Sequence, residues 1–251
     1  MGELIILGSA NALPDLNHDT SHLLIVDEDR RVLVDCSGSP VQRLQEANVQ
    51  LDRITDIIIT HYHPDHVAGL PMLLMNMWLQ GRENELNIHG LSITVEKIRT
   101  MMSLYDWEAW PGLYPVIFKI IADKEMHEVL NTPGLIIHSS PVKHLIPTIG
   151  LRFDFNKSSK SLAYSCDTEP CDAVIKLAKN VDILIHEAAG EGKGHSSAFQ
   201  AAELAEKANA NKLYLIHYPR DDSSLEKMKN DAHKKFRRKV YLTKDFMRFN
   251  F

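Results

Sequence analysis

Cysteine is scarce: only Cys36, Cys166 and Cys171 occur among 251 residues, and no two form a CxxC pair. An odd number at irregular spacing excludes a disulfide framework. The first residues carry no secretory pattern, so reduced thiols in a cytoplasmic protein are expected. Long hydrophobic runs are missing as well, which excludes a chain built to span a bilayer. Positive charge is not in excess either, with 28 Lys and Arg against 33 Asp and Glu and a net charge of −5. That balance argues against a dedicated basic nucleic-acid binder and leaves room for a local basic face. No Gly/Ser-rich or Pro-rich linker divides the chain, so one domain over residues 1–251 is expected.

Histidine, by contrast, is plentiful. There are 13, several of them clustered, in an otherwise ordinary globular composition. The first half reads as strands at 3–8, 22–28 and 31–36, a helix over 40–49, a buried strand at 53–60 and a helix over 66–80. The second half reads as strands at 134–142, 149–155, 160–167, 181–188 and 212–218. Helices are expected at 170–180, 196–209 and near 223–236. Strand clusters interleaved with helices indicate a layered α/β or α+β fold. Residues 81–131 differ in character and hold Tyr105, Trp107 and Trp110 close together. They are expected as a variable helical segment that either packs on the core or forms a lid beside a site.

The chemistry concentrates in "ITHYHPDHVAGLP", residues 59–71. A strand ending at Thr60 delivers His61 to the carboxyl end of a sheet, and Pro64 stiffens the loop that follows. Alternate side chains then address two positions: His61 and His63 one ion, Asp65 and His66 a second. Imidazole and carboxylate suit zinc, manganese or iron. Three imidazoles in six residues repel on protonation and lose solvation on burial unless a metal compensates. Six residues cannot fill two coordination shells, so further ligands are expected at later strand ends, where His144, Asp167 and His217 stand. Any one of these alone is equally an ordinary polar residue of core or surface.

"THYHPDH" matches the HxHxDH signature of the metallo-β-lactamase superfamily, and the chain resembles its ribonuclease Z-like phosphodiesterase branch. "LGSANALP", "LVDCSGSPVQRLQEANVQLDRITDIIITHYHPDHVAGLP", "VKHLIPTIGLRF", "YSCDTEPCD", "LIHEA", "GHSSAFQAAELA" and "LIHYPR" carry the resemblance, over roughly residues 4–75 and 134–251. It implies an αββα sandwich, two mixed β-sheets flanked by helices, with a site for two divalent ions, expected as Zn2+ with Mn2+ or Fe as alternatives. It further implies that His61, His63 and His144 hold one ion, that Asp65, His66 and His217 hold the other, and that Asp167 bridges them. Asp35 then fixes the tautomer and ring orientation of a ligand histidine. His195 assists at the phosphoryl oxygen or the leaving alkoxide, and Glu187 orients it. The same His195 also neighbours a helix N-cap formed by Ser196 or Ser197.

The implied reaction is phosphodiester hydrolysis by a metal-bridging hydroxide, either at a tRNA 3′ end or on a small or cyclic phosphodiester. A homodimer and no membrane partner are implied with it. An ester, thioester or lactone hydrolase of the same superfamily is the alternative, and a non-catalytic scaffold a further one. The sequence departs from the branch in one respect. Bacterial ribonuclease Z inserts a projecting arm that grips tRNA between the third ligand histidine and the bridging aspartate. Here His144 and Asp167 are only 23 positions apart, enough for two strands and a turn. A basic stretch over 227–239 is read as the solvated face of a helix. Cys166, beside Asp167, is read as a small buried filler turned away from it.

Overall fold

Two seven-stranded sheets pack face to face in the computed structural model, which describes residues 2–219 and 222–251. The Arg220 end of the "LIHYPR" match lies outside the described residues. The first sheet comprises β1 (Glu3–Gly8), β2 (His22–Val26), β3 (Arg31–Val34), β4 (Asp56–Ile58), β5 (Leu86–Leu91), β6 (Val116–Ile121) and β14 (Arg248–Asn250), in the order β14-β1-β2-β3-β4-β5-β6. The second comprises β7 (His127–Asn131), β8 (Leu135–Val142), β9 (Thr148–Phe155), β10 (Lys160–Tyr164), β11 (Ile183–Glu187), β12 (Lys212–Ile216) and β13 (Lys239–Leu242). Its order is β13-β12-β11-β10-β9-β8-β7. Both sheets are mixed. Pairing is antiparallel from β14 to β3 and parallel from β3 to β6. The second sheet is likewise antiparallel from β7 to β10 and parallel from β10 to β13.

Alternation along the strands assigns each side chain a layer. Leu4, Ile6, Leu23, Val34, Ile58, Leu151, Phe153 and Ile185 fill the space between the sheets. Leu7, Leu33, Ile57 and Ile88 face outward beneath helices α1 (Pro40–Glu46), α3 (Leu70–Leu79) and α4 (Ser92–Ser103). Leu184, Leu213 and Leu215 do the same beneath α6 (Ala198–Lys207), with Ala232 of α7 (Asp222–His233) in that layer. The short α2 (Pro64–Val67) and α5 (Asp172–Leu177) complete the helices. The result is the expected αββα sandwich. Among the described residues no helix is long and apolar enough to cross a membrane.

Three sequence-based expectations need correction. The helix over 66–80 is broken: α2 ends at Val67 and α3 starts at Leu70. Pro71 lacks an N–H and favours the first turn of a new helix. Gly69 lies so close to Pro40 that a Cβ there would stand 2.7 Å from its ring. The segment 81–131 is not simply helical, because β5, β6 and β7 flank α4 and extend both sheets. β5 is buried along its whole length, and a strand covered on both faces shows no alternation to read. Trp107 is a buried core residue, and Trp110 stacks on Trp78 at 5.1 Å between centroids. Strands expected to run to Thr60, Asp167 and Tyr218 stop at Ile58, Tyr164 and Ile216. The residues beyond are freed for the site.

A half-buried ion pair ties these loose ends together. Arg43 of α1 pairs with Asp245 and donates from Nε to Leu7 O of β1 at 2.8 Å. Asp245 also accepts from Ser9 Oγ (2.7 Å) and from Asp19 N (2.9 Å), and Ser9 O accepts the His217 N–H at 3.0 Å. Removing Arg43 leaves the Asp245 carboxylate with only Ser9 and the Asp19 N–H as partners among the described residues. Arg43→Met is therefore expected to lower stability by about 1–3 kcal/mol, read as a lower urea midpoint with an unchanged slope. A midpoint equal to the unsubstituted protein's would show that the pair does not secure this corner.

Candidate metal centre

Three strands run into residues whose backbone lies in the left-handed region: Asp35 (φ 62°) after β3, Cys166 (φ 54°) after β10 and His217 (φ 55°) after β12. Side chains other than glycine enter that region at a cost, and the strain gathers where function needs it. Here it turns each chain at the carboxyl end of its strand. Asp35, Asp167 and His217 thereby converge on the loop after β4. In that loop His63 is extended and Pro64 opens α2, which places Asp65 and His66 one turn further on.

Two donor groups result. His61 Nε2 and His144 Nε2 each lie 3.1 Å from His63 Nδ1. Asp65, His66 and His217 form the second group, with Asp65 Oδ2 at 3.5 Å from His66 Nε2 and 3.9 Å from His217 Nε2. Asp167 Oδ2 stands between them. It lies 3.2 Å from His217, 3.4 Å from His66, 3.9 Å from His61 and 4.0 Å from His144. His66 Nε2 and Asp167 Oδ1 are buried without a hydrogen-bond partner among the described residues. Buried polar atoms are normally paired. Both donor groups therefore have the composition and spacing that could hold a metal ion.

The far nitrogen of each buried ring is committed elsewhere. His66 Nδ1 donates to Asp35 Oδ2 at 2.8 Å, while Thr60 donates to the same carboxylate from N (2.8 Å) and Oγ1 (2.9 Å). Thr60 Oγ1 in turn accepts from His61 Nδ1 at 3.1 Å and from Cys166 Sγ at 3.0 Å. His144 Nδ1 donates to Gly194 O at 2.6 Å. His217 Nδ1 donates to Ser21 Oγ at 3.3 Å, and that hydroxyl passes its own proton to Ala10 O. Each ring thus turns Nε2 inward, the orientation a metal requires. Cys166 is buried and touches the outer nitrogen of His61 (3.6 Å), on the side away from His63.

Glu187, at the end of β11, faces the same space. It accepts from Thr168 N, Ser196 N, Ala189 N and His195 Nδ1, the last at 3.1 Å. The His195 ring sits 5.0 Å from that of His144 and is stacked at 5.9 Å on that of His217. It therefore lies over both donor groups. The cap of α6 is Ser197, which exchanges hydrogen bonds with Gln200 and leaves His195 free of capping duty.

Charge follows burial. Burial holds His61, His63, His144 and His217 below the ordinary imidazole range, His217 at about 4. His66 is opposed by burial yet pushed well up by Asp167 and Asp35, while neighbouring imidazoles hold the buried Asp167 well down. Burial pushes Glu187 up to about 7. The groups bonded to its carboxylate all donate, which opposes that rise, and the carboxylate in turn raises His195.

The comparisons with known proteins agree with this geometry. The family described as anti-Pycsar protein Apyc1 matches residues 2–242. The chain belongs to the Apyc1 family. Among curated relatives, ribonuclease Z of Listeria monocytogenes is 30% identical over 88% of this chain and 91% of its own. Ribonuclease Z of Picrophilus torridus is 26% identical over 99% of this chain and 95% of its own. The metallo-β-lactamase fold protein YhfI of Bacillus subtilis superposes with a TM-score of 0.82 at 22% identity, over 99% of this chain and 98% of its own. This Apyc1-family chain is accordingly a divalent-metal-dependent hydrolase of the ribonuclease Z-like phosphodiesterase type, on a metallo-β-lactamase fold.

All ten residues singled out from sequence lie in this one region. Sequence reasoning missed the roles of Thr60, Thr168 and Gly194, which lie inside the matching stretches, and of Ser21, which lies in none of them. The pKa directions give a pH test on the metal-free protein. His61, His63, His144 and His217, with the buried His22 and His186, bind protons less readily folded than unfolded. Below the unfolded value near 6.5 the unfolded chain takes up protons that the folded one refuses. Each tenfold difference in proton affinity between the two states costs the fold about 1.4 kcal/mol. His66, His195 and Glu187 act in the opposite sense, their stabilisation present at lower pH and lost as pH rises through their raised values. The metal-free protein is therefore expected to lose thermal stability from pH 7.5 to 5. A flat or rising melting temperature over that range would contradict the assignment.

Proposed function

We propose that this chain hydrolyses a small phosphodiester, cyclic or linear, with two divalent ions, most naturally zinc. His61, His63 and His144 would hold one ion, Asp65, His66 and His217 the other, with Asp167 between them. The observation that carries the reading is the Glu187–His195 pair poised over both donor groups. When bound, the ions supply Lewis acidity, which activates the attacking water and neutralises charge on the phosphoryl oxygens. Asp35 keeps His66 in the tautomer that presents Nε2 inward. His195 holds one proton on Nδ1 against Glu187 and offers a second from Nε2 to the departing alkoxide. An alkoxide is a poor leaving group, so a placed acid matters here more than for a thioester, which expels a stabilised thiolate.

The connection from His144 to Asp167 supports a small substrate rather than tRNA. It is accounted for by β9, β10 and their turn, which leaves no arm to project. Two carboxylates against two divalent ions leave the centre positive, which suits an anionic substrate. The basic stretch 227–239 turns Ala232 and Phe236 inward, as a solvated helix face does. Three free thiols accord with a cytoplasmic location, and a homodimer remains part of the proposal.

Steady-state assays on a chromogenic phosphodiester, a 3′,5′-cyclic nucleotide, a 3′-extended tRNA and a lactone test the reading. Turnover is expected on the first two. His195→Ala should lower that turnover by about 10²–10⁴-fold with metal content unchanged. Turnover of the lactone alone would overturn the proposal, and loss of metal from His195→Ala would make His195 a ligand.

A further inference from the structure

Glu169 lies within the "YSCDTEPCD" stretch without a role assigned above, yet it holds the residue that links the two functional groups of the site. Its Oε1 accepts the Gly194 N–H at 3.0 Å, and its other oxygen pairs with Lys143. The carbonyl of the same Gly194 accepts from His144 Nδ1 at 2.6 Å, and the next residue is His195. One residue thus fixes the ring of a proposed metal ligand on one side and carries the proposed acid on the other. Gly194 has φ +86°, and a Cβ there would stand 3.0 Å from His144 Nδ1 and 2.9 Å from Leu145. Only glycine accepts that conformation without cost.

Within the segment Gly190–His195 and its edge, Gly190 N–H reaches Ser196 O and His195 N–H reaches Gly192 O. Three side chains hold it from outside: His144 at Gly194 O, Glu187 at the His195 ring, and Glu169, the one that accepts a backbone N–H of the segment among the described residues. The backbone of Glu169 is itself secured, because Glu169 N–H donates to Lys143 O at 2.7 Å and Lys143 N–H donates to Thr168 Oγ1 at 3.1 Å. The anchor is therefore built into the backbone bridge between Lys143 and Glu169, next in sequence to His144 and close to Asp167, and the loop hangs from it.

We propose that Glu169 is a positioning residue that holds Gly194, and through it sets the His144 ring and the place of His195 together. Filling of the His61/His63/His144 group and delivery of the proton are then coupled through this loop. The kinetic part of the proposal rests on the phosphodiesterase reading above. The structural part does not.

Glu169→Ala and Glu169→Gln separate the possibilities, because the glutamine amide oxygen still accepts the Gly194 N–H but no longer pairs with Lys143 as an anion. Three quantities are measured. They are amide hydrogen exchange over residues 190–196 in metal-free protein, zinc affinity by chelator competition, and kcat and KM on a chromogenic phosphodiester. Glu169→Ala should exchange faster in that segment and lose about 10–100-fold in zinc affinity or kcat, with KM little changed. Glu169→Gln should restore exchange protection and kcat. An alanine variant that matches the unsubstituted protein in exchange and zinc affinity would overturn the proposal. So would a glutamine variant as impaired as the alanine one. If the exchange and zinc results hold while no variant, nor the unsubstituted protein, cleaves any phosphodiester, the functional reading fails and the positioning role stands.

Discussion

Five imidazole nitrogens and two carboxylates face one another at separations of 3.1–4.0 Å, and the site is favourable only with positive charge among them. Without it, buried lone pairs oppose one another and polar atoms stay unpaired. Most of the surrounding hydrogen bonds serve that constraint. Asp35, Thr60, Gly194 and Ser21 each occupy the outer nitrogen of one ring and so dictate what the inner one presents. In the metal-free chain a proton on His66, held between Asp35 and Asp167, supplies part of the missing charge.

The fold supplies the convergence. Two mixed sheets bring the carboxyl ends of β3, β4, β10, β11 and β12 to one edge of the sandwich. Strands that stop two or three residues early leave short tails to carry Thr60, Asp167 and His217. Left-handed turns at Asp35, Cys166 and His217 aim those tails inward. The Arg43–Asp245 pair, through Ser9, anchors the backbone of His217 from the opposite end of the chain. Core packing and site geometry are therefore coupled at this corner.

Much of this was legible from residues alone, for physical reasons that differ by element. The loop 61–66 announces itself because four donors crowd into six positions, a pattern packing does not produce. His144, Asp167 and His217 are visible only as polar residues at strand ends, and the HxHxDH resemblance is what groups them. β5 and β6 were hidden because burial on both faces, or the edge of a sheet, erases the alternation by which strands are read. Gly194, Ser21 and Thr60 act through backbone or hydroxyl contacts. Such roles depend on three-dimensional register and leave no trace in composition. The break between α2 and α3 was signalled by Pro71, but the apolar run across it concealed the boundary.

Placing the proposed proton donor and a proposed ligand histidine on either side of Gly194 would make the chemistry depend on the loop as well as on the ions. The ions themselves nevertheless come first, since every other role is defined by where they sit. Anomalous diffraction at the zinc edge from crystals grown with zinc locates them directly. Two peaks about 3.5–4 Å apart are expected, one among His61, His63 and His144 and one among Asp65, His66 and His217, with Asp167 touching both. A single peak, or zinc bound away from Asp167, would contradict the two-ion centre.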